Sequence, residues 1–436
     1  MNNLVVSEPF VNAVPGRASA LLDNIHGISC EMLSQLRLRA YKSLYNVQEN
    51  TFFIDSQKKN EKRHLRFELQ DLAKFILQSP RFDRFQKCCS IPVASLIQVL
   101  FAKSTQSAYF GGLCICGNIW NCPVCGAKIM YERCRELLAC MESFLYADPR
   151  NHEVLMMVMT HSHKRCDSLQ SLMEKRAIAL KIFFQTYGVV KVLKSLGSLG
   201  HVNSFEITYS KMNGFHPHNH VLFFNTKRFK PETGEYCTST VRADLIPLAD
   251  MLYPYWENAC KSVGLTTARD CFEIVGGNLS SKYVQKLHLE MTLSNLKYAG
   301  ILKIPHYTPM QMLYEIKRLR GEGKHTKWLE NAFKEYSETL KGHYKQLTWS
   351  RGLKGYFGLN EVPDEVLAKP TETDIRELLT FYNDEFVKVK SPAAKAEILN
   401  AAKAGEAAVR AVLIKYKVRS VLPDGNEKPG VVHVHD

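Results

Sequence analysis

Between Glu206 and Phe224, apolar and polar residues alternate with a period of two on either side of a polar turn, Ser210 to His216, that contains Asn213-Gly214. A segment with that pattern is committed to a β-hairpin, and the rest of the domain must supply what covers its apolar face. Placing Tyr209 opposite Pro217 sets Glu206 opposite His220 and Thr208 opposite His218, with all four side chains on one face. One carboxylate and two imidazoles then converge. Such a donor set suits a divalent cation, and the carboxylate moves the preference from zinc toward manganese or magnesium. His216 shares the parity of His218 and His220, but Pro217 places it at the strand's mouth and ranks it below them. A hairpin that merely packs its histidines is the alternative. Three ligands on one face weigh against it.

The segments before the hairpin support an α+β domain with an antiparallel sheet. Glu153 to His161 is a nearly continuous apolar run of strand length, as a central strand requires, and an amphipathic helix follows from about Leu169 to Tyr187. His161-Ser162-His163 is a formal rival for the metal. It has no nearby carboxylate except Asp167, so it reads better as a polar strand terminus.

Upstream, Cys114-Ile115-Cys116 and Cys122-Pro123-Val124-Cys125 bracket a five-residue loop. Cys114, Cys116, Cys122 and Cys125 could close a tetrahedral zinc site that contributes to folding and leaves no open position for catalysis. Four unligated thiols in a buried turn are the plainer possibility. A charged helix from about Lys128 to Leu145 follows, with Cys134 and Cys140 as core fillers.

At 436 residues and 45% hydrophobic content the chain has enough material for two or three domains. Its formal net charge of +14 points to a polyanionic partner, nucleic acid first. No apolar run reaches the roughly 18 residues of a membrane span, and the N-terminus lacks the pattern of a signal peptide. Thirteen cysteines, an odd number, fit a reducing compartment, so the expected location is the cytoplasm.

His218-Asn219-His220, within His216-Pro217-His218-Asn219-His220-Val221-Leu222, resembles the metal motif of the HUH endonucleases, and more narrowly that of the replication initiators of rolling-circle plasmids. The resemblance implies that Glu206, His218 and His220 hold Mn2+ or Mg2+, and that the sheet is palm-like with flanking helices. One departure is Asn219, where an apolar residue is usual. The cysteine segment and the stretch Glu335 to Lys354 resemble the same initiators, so the likeness spans residues 110 to 365. It makes the strand at 153–161 a structural motif.

The resemblance also implies a nucleophile. After Gly276-Gly277-Asn278-Leu279 a helix is expected, with Asn278 or Ser280 as N-cap, and Tyr283 and Lys286 share one of its faces. A tyrosine with an ordinary pKa near 10 needs a neighbouring cation to attack at neutral pH, and Lys286 could supply it. Lys282-Tyr283-Val284-Gln285-Lys286 looks like the catalytic tyrosine motif, with Tyr298 in reserve. Leu279 and Leu287 stand where some relatives place a water-activating glutamate or a second tyrosine. Glu290 is a further guess at a base.

Outside these stretches, Gln57 to Arg66 is charged and precedes a helical stripe of Leu69, Leu72, Phe75 and Ile76; it is either a DNA-touching region or a solvated face. From 305 on, basic residues from Lys317 to Lys354 interleave with Tyr336, Tyr344, Trp349 and Tyr356, as in a surface that holds phosphates and stacks on bases, or in helices packed on the catalytic domain. The expected division is an accessory region (1–109), a cysteine segment with linking helix (110–150), an endonuclease domain (151–304), a helical basic region (305–415) and a tail (416–436), where His433 and His435 read as inert. The expected partner is DNA, a plasmid origin in single-stranded or hairpin form, which host replication proteins could join. The reading is a nickase working through a 5′-phosphotyrosyl link; the alternatives are a non-catalytic zinc-containing nucleic-acid-binding protein and a transposase or relaxase of the same superfamily.

Overall fold

The computed structural model describes residues 56–229, 245–276, 297–299, 304–370 and 373–421. They form two compact units: an inner one, Met130–Glu361, and an outer one drawn from both flanks, up to Ile129 and from Val362 onward.

In the inner unit the strands are β3 (Glu153–Thr160), β4 (Ser198–Ser210), β5 (Gly214–Asn225), β6 (Phe272–Gly276) and β9 (Leu347–Trp349), and β7 (Lys297–Ala299) pairs with β8 (Ile304–His306) in a separate ribbon. The main sheet has the order β6-β3-β5-β4-β9, antiparallel throughout. β3 lies between two neighbours and has both faces covered over most of its length, as its unbroken apolar run requires.

Helix α3 (Leu169–Gln185) starts at Ser168, whose hydroxyl accepts from the amide of Ser171, and buries Leu169, Leu172, Met173, Arg176, Ala179, Leu180 and Phe183. That stripe lies on the sheet face carrying Asn219 and Phe223: Arg176 Nη1 donates to Asn219 Oδ1 at 2.6 Å, and Phe184 packs near Phe223. His201 of β4 stacks on Phe184, and burial pushes its imidazole down to about 4.

The expected boundary at 304/305 falls inside this unit, because α6 (Pro309–Gly321) and α7 (Lys327–Leu340) bury their apolar sides within it. Much of the basic and aromatic content after 305 is internal structure. Tyr336 is 2% exposed, Tyr344 packs edge-on to Phe205, Trp349 pairs with Val202 in the sheet, and Arg318, Arg320 and Lys354 are ion-paired with glutamates. The packing reading of this stretch therefore holds for Tyr336, Tyr344 and Trp349.

The outer unit is built on a second antiparallel sheet of order β11-β10-β1-β2, with β1 (Leu96–Ala102) and β2 (Ser107–Gly111) from one flank and β10 (Ile375–Tyr382) and β11 (Ser420–Val421) from the other. α8 (Pro392–Ala401) packs on α1 (Ser56–Ile76). The region expected to be helical to 415 thus contains a strand. The α1 stripe is also rotated from expectation: Phe67, Leu69, Gln70, Ala73, Lys74 and Leu77, the residue just past its end, are buried, while Phe75 is 60% exposed. Gln70 and Lys74, polar residues on that inner face, need partners.

Candidate metal centres

The hairpin turns on three residues, Lys211 to Asn213, with Ser210 paired to Gly214 and the Asn213 amide donating to Ser210 Oγ. Gly214 has φ +77, and a Cβ there would meet the Arg165 backbone at 3.1 Å, so the position suits glycine alone. Because the turn is tighter than expected, the register shifts by two residues: Glu206 faces His218, Thr208 faces His216 and Ser204 faces His220. The assumed pairing of Glu206 with His220 is corrected. A two-residue shift preserves parity, so Glu206, His218 and His220 still share a face.

Those three side chains converge. His218 Nε2 lies 3.0 Å and His220 Nε2 3.6 Å from Glu206 Oε2, with Glu206 and His220 almost fully buried. Ligand atoms on one ion about 2.0–2.2 Å away stand roughly 3 Å apart, so little movement is needed to seat a cation. The group could bind a metal. Pro217 is tolerated because β3 ends at Thr160, opposite His218, and leaves no partner for a Pro217 amide on that side.

The histidines extend beyond these three side chains. His163, expected as a polar strand end, stands edge-on to His216, ring centroids 4.7 Å apart, and His216 in turn lies 5.3 Å from His218. Burial, then the neighbouring His218 and His163, pushes His216 down to about 3, and burial pushes His161 down to about 4. Both are neutral at pH 7. On the opposite sheet face, Asn219 accepts from the buried Arg176 and donates through Nδ2 to Asn203 Oδ1 at 2.6 Å. That contact accounts for the polar residue between His218 and His220.

The second group, in the outer unit, is buried and comprises Cys88, Cys116, Cys122 and Cys125. Three of the expected cysteines are present and Cys114 is not. Its backbone is held between Cys89 and Ile91 by Cys89 N to Cys114 O at 2.8 Å and Cys114 N to Ile91 O at 2.9 Å, and its side chain is half-buried toward Arg84 O. The same pairing carries Cys88 inward. The adjacent cysteines Cys88-Cys89 were the signal in the sequence, but only the fold brings them to the loop.

The sulfurs lie at 3.5 Å (Cys88–Cys125), 3.6 Å (Cys116–Cys125) and 3.9 Å (Cys88–Cys122). A tetrahedron with Zn–S bonds of about 2.3 Å has edges of ~3.8 Å, so the spacing fits a four-sulfur metal site. Amides point at the sulfurs as well: Asn118 N at Cys116, Cys125 N at Cys122 and Cys116 N at Cys88, each at 3.4 Å. Gly117, with φ +62, makes the turn that aims the first of these. The group could hold a metal such as zinc.

Tyr283, Lys286 and Glu290 lie outside the described residues. Tyr298 lies in β7, opposite Pro305.

Fold and sites together define an α+β protein of two units, each with a side-chain group able to bind a metal. No family model matches the chain, and no solved structure does. The chain is similar to a curated protein from Streptomyces lividans named Protein rep, 22% identical over 325 residues that cover 62% of this chain and 69% of that protein. No described helix is long and apolar enough to cross a membrane.

Proposed function

We propose that the chain is a replication initiator of the rolling-circle type, a metal-dependent nickase and strand transferase acting on single-stranded or hairpin DNA at a plasmid origin in the cytoplasm. The observation that carries this is the convergence of Glu206, His218 and His220 on adjacent antiparallel strands. The similarity to a protein named for replication points the same way. In this reading the five-stranded sheet is the palm-like core of an HUH endonuclease domain. Manganese or magnesium at Glu206, His218 and His220 would supply positive charge to a non-bridging oxygen of the scissile phosphate. Tyr283 attacks the phosphorus, one P–O bond forms, the bond to the 3′ oxygen breaks, and the 3′-hydroxyl leaves as a primer. Lys286 steadies the phenolate, and the covalent link conserves the bond for later joining. At Cys88, Cys116, Cys122 and Cys125 we propose structural zinc.

Incubation with Mn2+ and labelled single-stranded origin DNA tests this. The native protein should form an adduct that survives denaturing electrophoresis, and peptide mapping should place it on Tyr283. Tyr283→Phe, Glu206→Ala and His218→Ala should each abolish the adduct and keep DNA binding, which the basic surface supplies. An adduct on Tyr298 would move the nucleophile and keep the nickase. Tight binding with no adduct under any divalent metal would leave a non-catalytic zinc-containing nucleic-acid-binding protein, a reading the four-cysteine group alone would support.

A further inference from the structure

Beneath the four-cysteine group the outer unit buries two lysines. Lys395, on α8, is fully buried; its Nζ donates to Cys89 O at 3.3 Å, lies 4.6 Å from the centre of the Phe67 ring, and makes no ion pair among the described residues. Lys74, on α1, is 8% exposed and donates to Cys88 O at 2.7 Å and Ser90 Oγ at 2.6 Å; its nearest carboxylate oxygen, on Asp71, is 3.9 Å away and half-exposed. Both ammoniums therefore hang from the carbonyls of the two adjacent cysteines, one of which belongs to the sulfur group. One turn along α1 from Lys74, Gln70 Nε2 donates to Cys122 Sγ at 3.1 Å.

A carbonyl and an aromatic face do not repay the desolvation of a buried ammonium. Burial pulls the Lys395 ammonium below its ordinary range, and the nearby Asp71, Cys89 and Cys88 only partly oppose that pull. A half-exposed Asp71 offers one negative charge near the two ammoniums, and four thiols would add none. Four thiolates on a divalent ion leave a doubly negative centre, matched in magnitude by the two ammoniums.

We propose that Lys74 and Lys395 are built-in counter-ions of a metal–tetrathiolate centre at Cys88, Cys116, Cys122 and Cys125. This rests on the reading that the group holds a divalent metal. The lysines touch no metal, so their role is positioning and charge balance. They offset the negative charge gathered on the sulfurs, with Gln70 and the loop amides adding directed N–H donors to the same sulfurs. The arrangement also selects among metals by charge, since a monovalent ion on four thiolates would leave the buried site negative.

The test compares the full-length native protein with Lys395→Met, which keeps length and apolar volume and deletes the charge, and with Lys74→Met as the second variant. Zinc content is measured first, in protein purified without chelators. Zinc release is then followed with a colorimetric chelator as pH is lowered. Removing one counter-ion should raise the pH of half-release by ~0.5–1 unit and speed release at fixed pH by roughly tenfold, the size expected for deleting one nearby charge in a partly desolvated site. A lysine that only packs would lower thermal stability and leave the pH of half-release unmoved. If both variants keep the native zinc content and release profile, the counter-ion assignment is overturned and the metal reading stands. If the native protein holds no metal, both fall.

Discussion

Asn219→Ala removes the contact that ties β5 to the helix behind it, together with the Asn219–Asn203 hydrogen bond inside the sheet. Asn219 stands between two proposed ligands, yet its side chain points away from them to accept from Arg176 at 2.6 Å. Arg176 is 3% exposed and makes no ion pair among the described residues; its other notable contact is the Phe205 ring, 4.6 Å away. Truncation removes a hydrogen bond to a charged donor, worth about 1.5–3 kcal/mol, and the neutral bond to Asn203, worth about 1 kcal/mol, and it leaves a buried guanidinium short of an acceptor, which can bring the cost to about 3–5 kcal/mol. Retention of the Phe205 contact argues for the lower end, about 3 kcal/mol. Urea unfolding followed by the fluorescence of Trp256, Trp328 and Trp349, all in the inner unit, should show that loss. The double variant Arg176→Met/Asn219→Leu, which deletes both members of the Arg176–Asn219 pair, should recover the part due to the orphaned charge and leave only the smaller loss of the Asn203 bond. A loss within about 0.5 kcal/mol, the range of ordinary surface changes, or simple additivity in the double variant, would refute the reasoning.

Two further outcomes are expected. Cys88→Ser should lower bound zinc and destabilise the outer unit, whereas Cys114→Ser should keep a full zinc complement by elemental analysis; the reverse pattern would restore the sequence-based ligand set. His201 is held near 4 by burial, against an ordinary 6.5. The unfolded chain therefore takes up a proton below pH 6.5 that the folded chain refuses until about pH 4, and stability present above 6.5 is lost across that window, by up to about 3 kcal/mol. His201→Phe, which keeps the stack on Phe184, should reduce the pH dependence of urea midpoints between pH 6.5 and 4 by the His201 share, with the buried His161 and His216 still contributing; an unchanged slope would show that His201 carries none of it.

What could be read from the sequence was what repeats locally. Alternation in β4 and β5 and the unbroken apolar run of β3 marked the hairpin and a central strand, and parity alone grouped Glu206, His218 and His220. The register was missed by two residues because nothing in the polar run from Ser210 to His216 says where a turn tightens; Gly214 supplies that through its positive φ and the close approach of Arg165. Cys88 was missed because its partners lie up to 37 residues away and arrive by pairing of the chain at Ile91 and Cys114. β10 escaped for the same reason: its partner strand is β1, and charged residues at its start hide a buried run at Leu378–Phe381. Asn219 looked like a blemish in a metal motif until Arg176 appeared behind it.

The outer unit has a consequence for how the protein is made. β1 takes its neighbour from a segment 279 residues further along, and Lys395 reaches Cys89 across 306. On the ribosome, Cys88, Cys116, Cys122 and Cys125 emerge long before β10 and α8 exist. The whole inner unit is synthesised during that delay. The thiols must wait for their platform, exposed to oxidants and to any metal that passes. A chain cut short before β10 would lose the second sheet along with its last helices, so the far end of this protein finishes a site whose cysteines lie near its beginning.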